Sequence, residues 1–466
     1  MVVRPLLSRS LLAVLLVALP ATLAALPADG VSRPADGPEA SPCGSTYVEG
    51  LGSTCRTPDG LYEIRGRNGE LLGYTHGPDA APEADLAAQM SGRTPPSFWA
   101  PRMPYCVDGL MGEFYAKVLY VRTFDDGPTW ARTDDFVRDL VLQGNGIVDL
   151  SAQVSGTEAF PSEQGGDHAD LVVQCSQGQV HVERVILWQP LGLLNMQSMV
   201  QELQALGYAT PRVHYWIYFD DVQGCPGCLG MAGFFPDPSK DVTNLNNGNA
   251  GPMYAVTFEV DEPRTMLHEL SHTMGAVQLN ATNSDGGPHV SDGNDIMSGA
   301  AASTDFCTHM EYDCGRDDYF HIDPPTGSYL HENWNLADKM HRYIRTNGSV
   351  VDVLRCAEDG FVGVPLACTM VGGNVEAAGV RFSIDWGDAS TSTVNGDVKV
   401  PAAASHAYAA PGTYRIHVRA EDVGGAPEPS GRVPYDVLIK ETPDVPLVDC
   451  VNNLAAGSFA DCPVRP

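Results

Sequence analysis

The chain has 466 residues, enough for two or three domains of ordinary size. Its 58 Asp and Glu against 28 Lys and Arg leave a formal charge of −30, which excludes a nucleic-acid binder and disfavours anionic membrane surfaces, because both need a cationic counterpart. A hydrophobic content of 43% excludes wholesale disorder, and 48 Gly with 35 Pro point to a loop-rich, β-leaning chain.

Residues 1–24 read as a secretory signal. Arg4 and Arg9 form a positive end, residues 11–19 (LLAVLLVAL) an apolar run, and Ala24 and Ala25 suit cleavage. A membrane anchor would need about 20 apolar residues, and no later stretch has them. The expected location is therefore extracellular. Residues 25–98 are expected to be disordered linker with a small Cys-closed segment. From 99 to 347 the texture is globular. Segments 115–122 and 213–219 are β-branched and aromatic and predict strands, while 132–143 and 193–206 carry helical apolar spacing. Together they predict a mixed α/β domain. Over 350–441 helical periodicity disappears. Short runs at 380–384, 398–400, 414–420 and 435–439, separated by Gly, Pro and Asp, predict an all-β sandwich. Residues 442–466 form a Cys-clasped tail.

In an exported chain the cysteines read as a disulfide inventory. Cys43 and Cys55, Cys356 and Cys368, and Cys450 and Cys462 are each twelve positions apart, which suits local clasps. Cys307 with Cys314 would close a short loop, and Cys106 with Cys175 a longer one. Cys225-Pro-Gly-Cys228 has the spacing of a redox or zinc pair. No second such pair completes a four-cysteine zinc site, so a small structural loop disulfide is preferred.

The segment 265–298 (TMLHELSHTMGAVQLNATNSDGGPHVSDGNDIMS) carries the chemistry. His268-Glu269-Leu270-Ser271-His272 is an HExxH. On a helix, positions i and i+4 share a face, so both imidazoles can converge on one metal ion with Glu269 beside its water. Asp261 is expected to cap this helix, Pro263 suits its first turn, and Gly275 lies where it would stop.

His268-Glu-Leu-Ser-His272-Thr-Met-Gly275 followed by Asp295-Ile-Met297-Ser298 resembles the metzincin clan of zinc metallopeptidases. It is most similar to secreted bacterial proteins in which an HExxHxxGAVQ segment precedes a His-containing DxxDxM loop. The resemblance implies a metzincin-like α/β (α+β) catalytic domain over roughly 99–347, with a turn at Met297 beneath the metal. Where the clan pattern places a third ligand, this chain has Gln278, a poor donor to zinc. His289, in the polar loop Asp285-Gly-Gly-Pro-His289, is the favoured third ligand, with Gln278, Asp292 and Asp295 as alternatives. No Glu occurs between His272 and Glu311, which disfavours a thermolysin-like glutamate ligand.

These readings predict a secreted zinc-dependent endopeptidase that hydrolyses protein or peptide substrates, with a metal-activated water and Glu269 as general base. Two alternatives stay open: a catalytically inactive protease-like binding or adhesion protein, favoured by Gln278, and a zinc hydrolase of non-peptide amides. Asp313, Asp317 and Asp318 offer hard oxygen donors of the calcium type, though without EF-hand spacing a solvated, disulfide-clasped loop is preferred. Residues 327–335 are expected to form a packed closing helix. Asn280 and Asn347 satisfy the N-glycosylation pattern.

In the sandwich, Asp385-Trp386-Gly387-Asp388, His406-Ala-Tyr408 and Pro411-Gly412-Thr413-Tyr414 resemble a PKD-type domain, named for polycystic kidney disease. The resemblance implies an immunoglobulin-like spacer or binding module for extracellular protein or polysaccharide.

Overall fold

The computed structural model describes residues 46–48, 52–56, 62–65, 71–75, 101–127, 129–153, 167–191, 196–220, 229–259, 261–298, 311–347, 350–373, 379–397, 399–423 and 430–441. All of them lie within one compact unit. The proposed signal, the acidic linker after residue 75 and the clasped tail lie outside the described residues. So do Cys43, Cys225, Cys228, Cys307, Cys450 and Cys462.

The first described element is an antiparallel meander of β1 (Thr46–Val48), β2 (Gly52–Arg56, which contains Cys55), β3 (Tyr62–Arg65) and β4 (Leu71–Thr75). The central domain follows. Its strands are β5 (Tyr105–Val107), β6 (Tyr115–Thr123), β7 (Ala169–Ser176), β8 (Gln179–Val180), β9 (Val182–Leu187), β10 (Val213–Phe219), β11 (Gly230–Ala232), β12 (Met253–Phe258) and β13 (Ile344–Thr346). Its helices are α1 (Asp134–Gln153), α2 (Met196–Ala205), α3 (Pro263–Thr273) and the single turn α4 (Tyr329–Glu332).

The strands form one mixed sheet in the order β11-β12-β10-β6-β7-β13. β5 and β8 also pair with β7, and β9 pairs with β6. β6, β10 and β12 run parallel, whereas β11 is antiparallel to β12 and forms an edge. Parallel strands covered on both faces must be apolar on both, which is why β6 and β10 read as almost unbroken hydrophobic runs. Val118, Tyr120, Trp216 and Tyr218 face one core with Val137 and Val141 of α1 and Met266, Leu267 and Leu270 of α3. Leu119, Val121, Tyr215 and Ile217 face the other with Met199, Val200 and Leu203 of α2. The sheet thus presents α3 on one face, close to the β11 edge.

Helix α1 runs on to Gln153, well past the expected end at 143. The Gly144-Asn145-Gly146 stretch looks like a breaker, but Asn145 is fully buried and satisfied from outside the helix. It accepts from Leu171 N at 2.8 Å and donates to Asp170 Oδ1 at 2.9 Å. Tertiary partners override the local propensity here. The closing helix expected over 327–335 is only the one turn of α4.

The C-terminal part is a two-sheet sandwich. One sheet holds β14 (Val350–Cys356), β16 (Leu366–Gly373) and β19 (Ala402–His406). The other holds β15 (Asp359–Phe361), β17 (Gly379–Asp385), β18 (Thr391–Asp397), β20 (Gly412–Asp422) and β21 (Val433–Lys440). Trp386 is fully buried in its core, and Tyr408 O–H donates to the Trp386 carbonyl at 3.0 Å. Gly387 is needed at its turn: φ is +80°, and a Cβ would fall 2.6 Å from the Arg415 carbonyl oxygen. Of the strand expected at 398–400, position 398 lies outside the described residues and the other two are not extended. Lys399, with φ +60°, and Val400 make the turn between β18 and β19.

Disulfides join Cys106 to Cys175, across β5 and β7, and Cys356 to Cys368, which face each other across β14 and β16. Cys314 is also disulfide-bonded. Among the described residues, no helix is long and apolar enough to cross a membrane.

Candidate metal centre

Helix α3 presents the HExxH. Pro263 occupies its first turn, where a missing N–H costs nothing, and the residue at the cap is Glu262, whose side chain makes no capping bond. Asp261, expected as the cap, has another task. It pairs with Arg132 at 2.6 Å and accepts from Tyr218 O–H at 2.9 Å, tying the approach to α1 to the start of α3. The helix ends at Thr273, and Gly275, with φ +85°, turns the chain away. A Cβ at Gly275 would lie 2.8 Å from the Asn246 side chain, so the turn also needs the space. Trp334 Nε1 then donates to the Met274 carbonyl at 2.9 Å and satisfies part of the helix end.

One face of α3 carries His268 and His272, both buried, with their Nε2 atoms 3.0 Å apart. The chain then folds back through the loop 284–290. The Asp285 N–H donates to the His289 carbonyl at 2.9 Å, and Ser284 pairs with Val290 as an isolated bridge. This places His289, also buried, with Nε2 3.2 Å from His268 Nε2. The three histidines offer ligand nitrogens that all lie within 4.8 Å of one another. Zinc–nitrogen bonds of about 2.05 Å at tetrahedral angles put neighbouring nitrogens about 3.3 Å apart, close to the two shorter separations.

The tautomer of His268 is fixed by its other nitrogen. Nδ1 lies 2.7 Å from the carbonyl oxygen of Ile296. A carbonyl only accepts, so Nδ1 carries the proton and Nε2 keeps its lone pair for a metal. Ile296 and Met297 are fully buried on the turn that His268 meets, where Met297 O accepts from Val290 N at 3.0 Å. Glu269 is buried as well, with its Cγ and Oε1 against Gly230 of edge strand β11. A Cβ at Gly230 would come within 2.5 Å of both atoms, so the glycine leaves the room that the carboxylate occupies. The donor set, its burial and the oriented His268 fit a zinc ion held by His268, His272 and His289, with Glu269 next to it in sequence but outside the histidine cluster.

The other expected candidates lie elsewhere. Gln278 is buried, and its Nε2 donates to the Gly275 carbonyl at 2.9 Å, closing the turn after α3. Asp295 is fully buried and accepts from Met297 N at 2.5 Å, Cys314 N at 2.6 Å and Tyr319 O–H at 2.7 Å. Burial pushes its carboxyl up to about 7 against the pull of those donors. Asp292 stands with Asp317 and Asp318, not with the histidines. Asp313, expected with Asp317 and Asp318 on a solvated loop, with calcium binding as the alternative, turns inward instead. It accepts from the N–H groups of Asp318, Tyr319 and Phe320 and is fully buried, so it holds its own loop in shape.

Several residues of the site carry no motif signal. Arg264 sits four positions before His268, on the same face of α3, and its Nη2 donates to the Asp295 carbonyl at 2.8 Å and to Ser298 Oγ at 3.1 Å. Ser271 Oγ bonds Tyr312 Oη at 2.8 Å, and Thr273 Oγ1 lies 3.0 Å from His214 Nδ1. Burial lowers the pKa of His214 well below its usual range and that of His341 to about 3, so both are neutral packing groups behind the helix. Only the four-residue spacing of Arg264 from His268 could have flagged one of them in the sequence.

No protein-family model and no curated protein matches the chain. Among solved structures, the PKD domain of an M14-like peptidase from a Thermoplasmatales archaeon is 20% identical, with 19% of this chain and 92% of that chain covered and a TM-score of 0.18. The CARDB domain of a Pyrococcus furiosus protein, solved in complex with di-metal ions, is 14% identical, with 20% and 91% covered and a TM-score of 0.17. Both likenesses are too slight to bear on function, and the sandwich stands on its own strand pairing.

Proposed function

We propose that the chain is an extracellular zinc-dependent peptidase of metzincin type, in which His268, His272 and His289 hold the metal and Glu269 is the general base. The observation that carries this is the convergence of three buried Nε2 atoms, one of them deprotonated by the bond from its own Nδ1–H to Ile296. Zinc bound there supplies Lewis acidity and lowers the pKa of a coordinated water toward neutrality. Glu269, adjacent in sequence to His268 and pressed against Gly230, takes a proton from the attacking water and returns it to the leaving amine nitrogen. The burial of all four side chains keeps bulk water from competing for the lone pairs. The disulfides Cys106–Cys175 and Cys356–Cys368 suit an oxidising compartment, and the sandwich adds a spacer or a surface for extracellular protein or polysaccharide.

The test is metal analysis of the purified chain with casein hydrolysis, comparing wild type and Glu269→Ala. Stoichiometric zinc in both forms with hydrolysis only in wild type is the expected result. Zinc without hydrolysis of any peptide in a broad library would replace this reading with that of a metal-holding binding protein. His289→Ala is expected to lose zinc far more readily than Gln278→Ala, and the reverse order would reassign the third ligand.

A further inference from the structure

We propose a second cation site, of the calcium class, formed by Asp292, Asp317 and Asp318. One carboxylate oxygen from each lies within 4.8 Å of the others. Calcium–oxygen bonds of about 2.4 Å put opposite ligands about 4.8 Å apart, so one ion of that size spans the set, and three anionic oxygens are the hard donors it prefers.

The cluster would mean little without the state of Asp292. This residue is only 3% exposed, yet among the described residues no N–H or O–H donates to its carboxylate. The two other carboxylates are served. Asp317 accepts from Asn283 Nδ2 at 3.2 Å, and Asp318 accepts from Asn283 N at 2.6 Å and Nδ2 at 3.0 Å. A nearly buried carboxylate that no donor serves, facing two of its own kind, is unfavourable unless a positive charge joins it. No Lys or Arg bridges the three carboxylates among the described ion pairs. A divalent cation supplies both the charge and the missing coordination.

The position of the site gives it a structural consequence. Asp292 lies three residues after His289, whereas Asp317 and Asp318 belong to the segment after Glu311 that packs along the methionine turn. That segment meets the turn through Glu311 N to Asn294 O at 2.9 Å and Ile296 N to Glu311 O at 3.0 Å. An ion on the three aspartates staples the loop that carries His289 to this segment. The site is separate from the histidine cluster and stands whether or not that cluster takes zinc.

The experiment is calorimetric titration of calcium chloride into the full zinc-treated chain, freed of calcium on a chelating resin, with zinc content measured in parallel. Wild type is expected to show a saturable calcium event. Asp292→Asn and, at a partly exposed position, Asp317→Asn are each expected to weaken it by at least about tenfold, while Asp323→Asn leaves it unchanged. The second variant keeps the test valid should the first fail to fold. Absence of calcium binding in wild type, or equal affinity in all four proteins, overturns the proposal. A chain that takes calcium but no zinc would overturn the peptidase reading and leave this one standing. A chain that takes zinc but no calcium would do the reverse.

Discussion

The Nδ1–H of His268 donates to the backbone carbonyl of Ile296, and the next residue, Met297, is fully buried. One hydrogen bond thus couples the helix that carries the HExxH to the Asp295-Ile-Met297 turn 28 positions away. The turn sets the tautomer of His268, so a change in its packing reaches the Nε2 proposed to hold the metal.

Met297→Ala tests that coupling. Truncating a fully buried methionine leaves a cavity and is expected to cost about 2–5 kcal/mol of stability. The turn should settle and the His268 bond lengthen, so the zinc off-rate is expected to rise, measured by transfer to a chromogenic chelator. Unchanged zinc release in a destabilised protein would confine Met297 to a packing role.

Gly230→Ala tests the placement of Glu269. A Cβ at position 230 would lie 2.5 Å from Glu269 Cγ and Oε1, well inside contact distance, so the carboxylate has to move. A displaced general base loses about 10²-fold in kcat, with KM and zinc content close to wild type. Measuring zinc alongside peptide hydrolysis separates the outcomes, since a variant that loses both would place Gly230 in the fold and not in the chemistry.

Much of this was readable in advance where local pattern and tertiary structure agree. β6 and β10 stand out because burial on both faces demands the same β-branched and aromatic residues that favour strands. The helix of the HExxH stands out because two ligands four apart need one. The third donor has no such local rule. His289, Asp292 and Asp295 are loop residues of suitable chemistry within seven positions, and only the fold-back of the loop separates them. Asp295 is consumed by three donors, Asp292 points to Asp317 and Asp318, and His289 meets the helix. Asp313 was misplaced for the same reason: its charge suggested a solvated loop, but backbone N–H groups of its own loop take the carboxylate inside.

Arg264→Gln removes a buried guanidinium that spans from α3 to the Asp295 carbonyl and Ser298 Oγ. Hydrogen bonds from a charged donor contribute about 1.5–3 kcal/mol, so a loss of about that size is expected in denaturant unfolding followed by a shift in midpoint. Arg264→Lys retains the charge without the fork and should fall between wild type and the Gln variant.

The sandwich offers a prediction with a defined pH window. Asp388, in the turn after Trp386, accepts from Ser390 N at 3.0 Å and from His406 Nε2 at 2.7 Å. Partial burial alone would raise its pKa, but the bonds from Ser390 and His406 outweigh it and hold the carboxyl at about 2, below the ordinary 3.8. The unfolded chain therefore binds the proton more readily, so the stabilisation is complete above pH 4 and is lost as the pH falls towards 2. Because the pair is near the surface and screened, Asp388→Ala should cost only about 1 kcal/mol at pH 7. The difference from wild type should fall to a small remainder at pH 2, where the folded carboxyl is half protonated, and vanish below it. Denaturant unfolding followed by tryptophan fluorescence at both pH values measures it. A gap that persists undiminished in acid would assign the effect to the shape of the turn and not to the charge of Asp388.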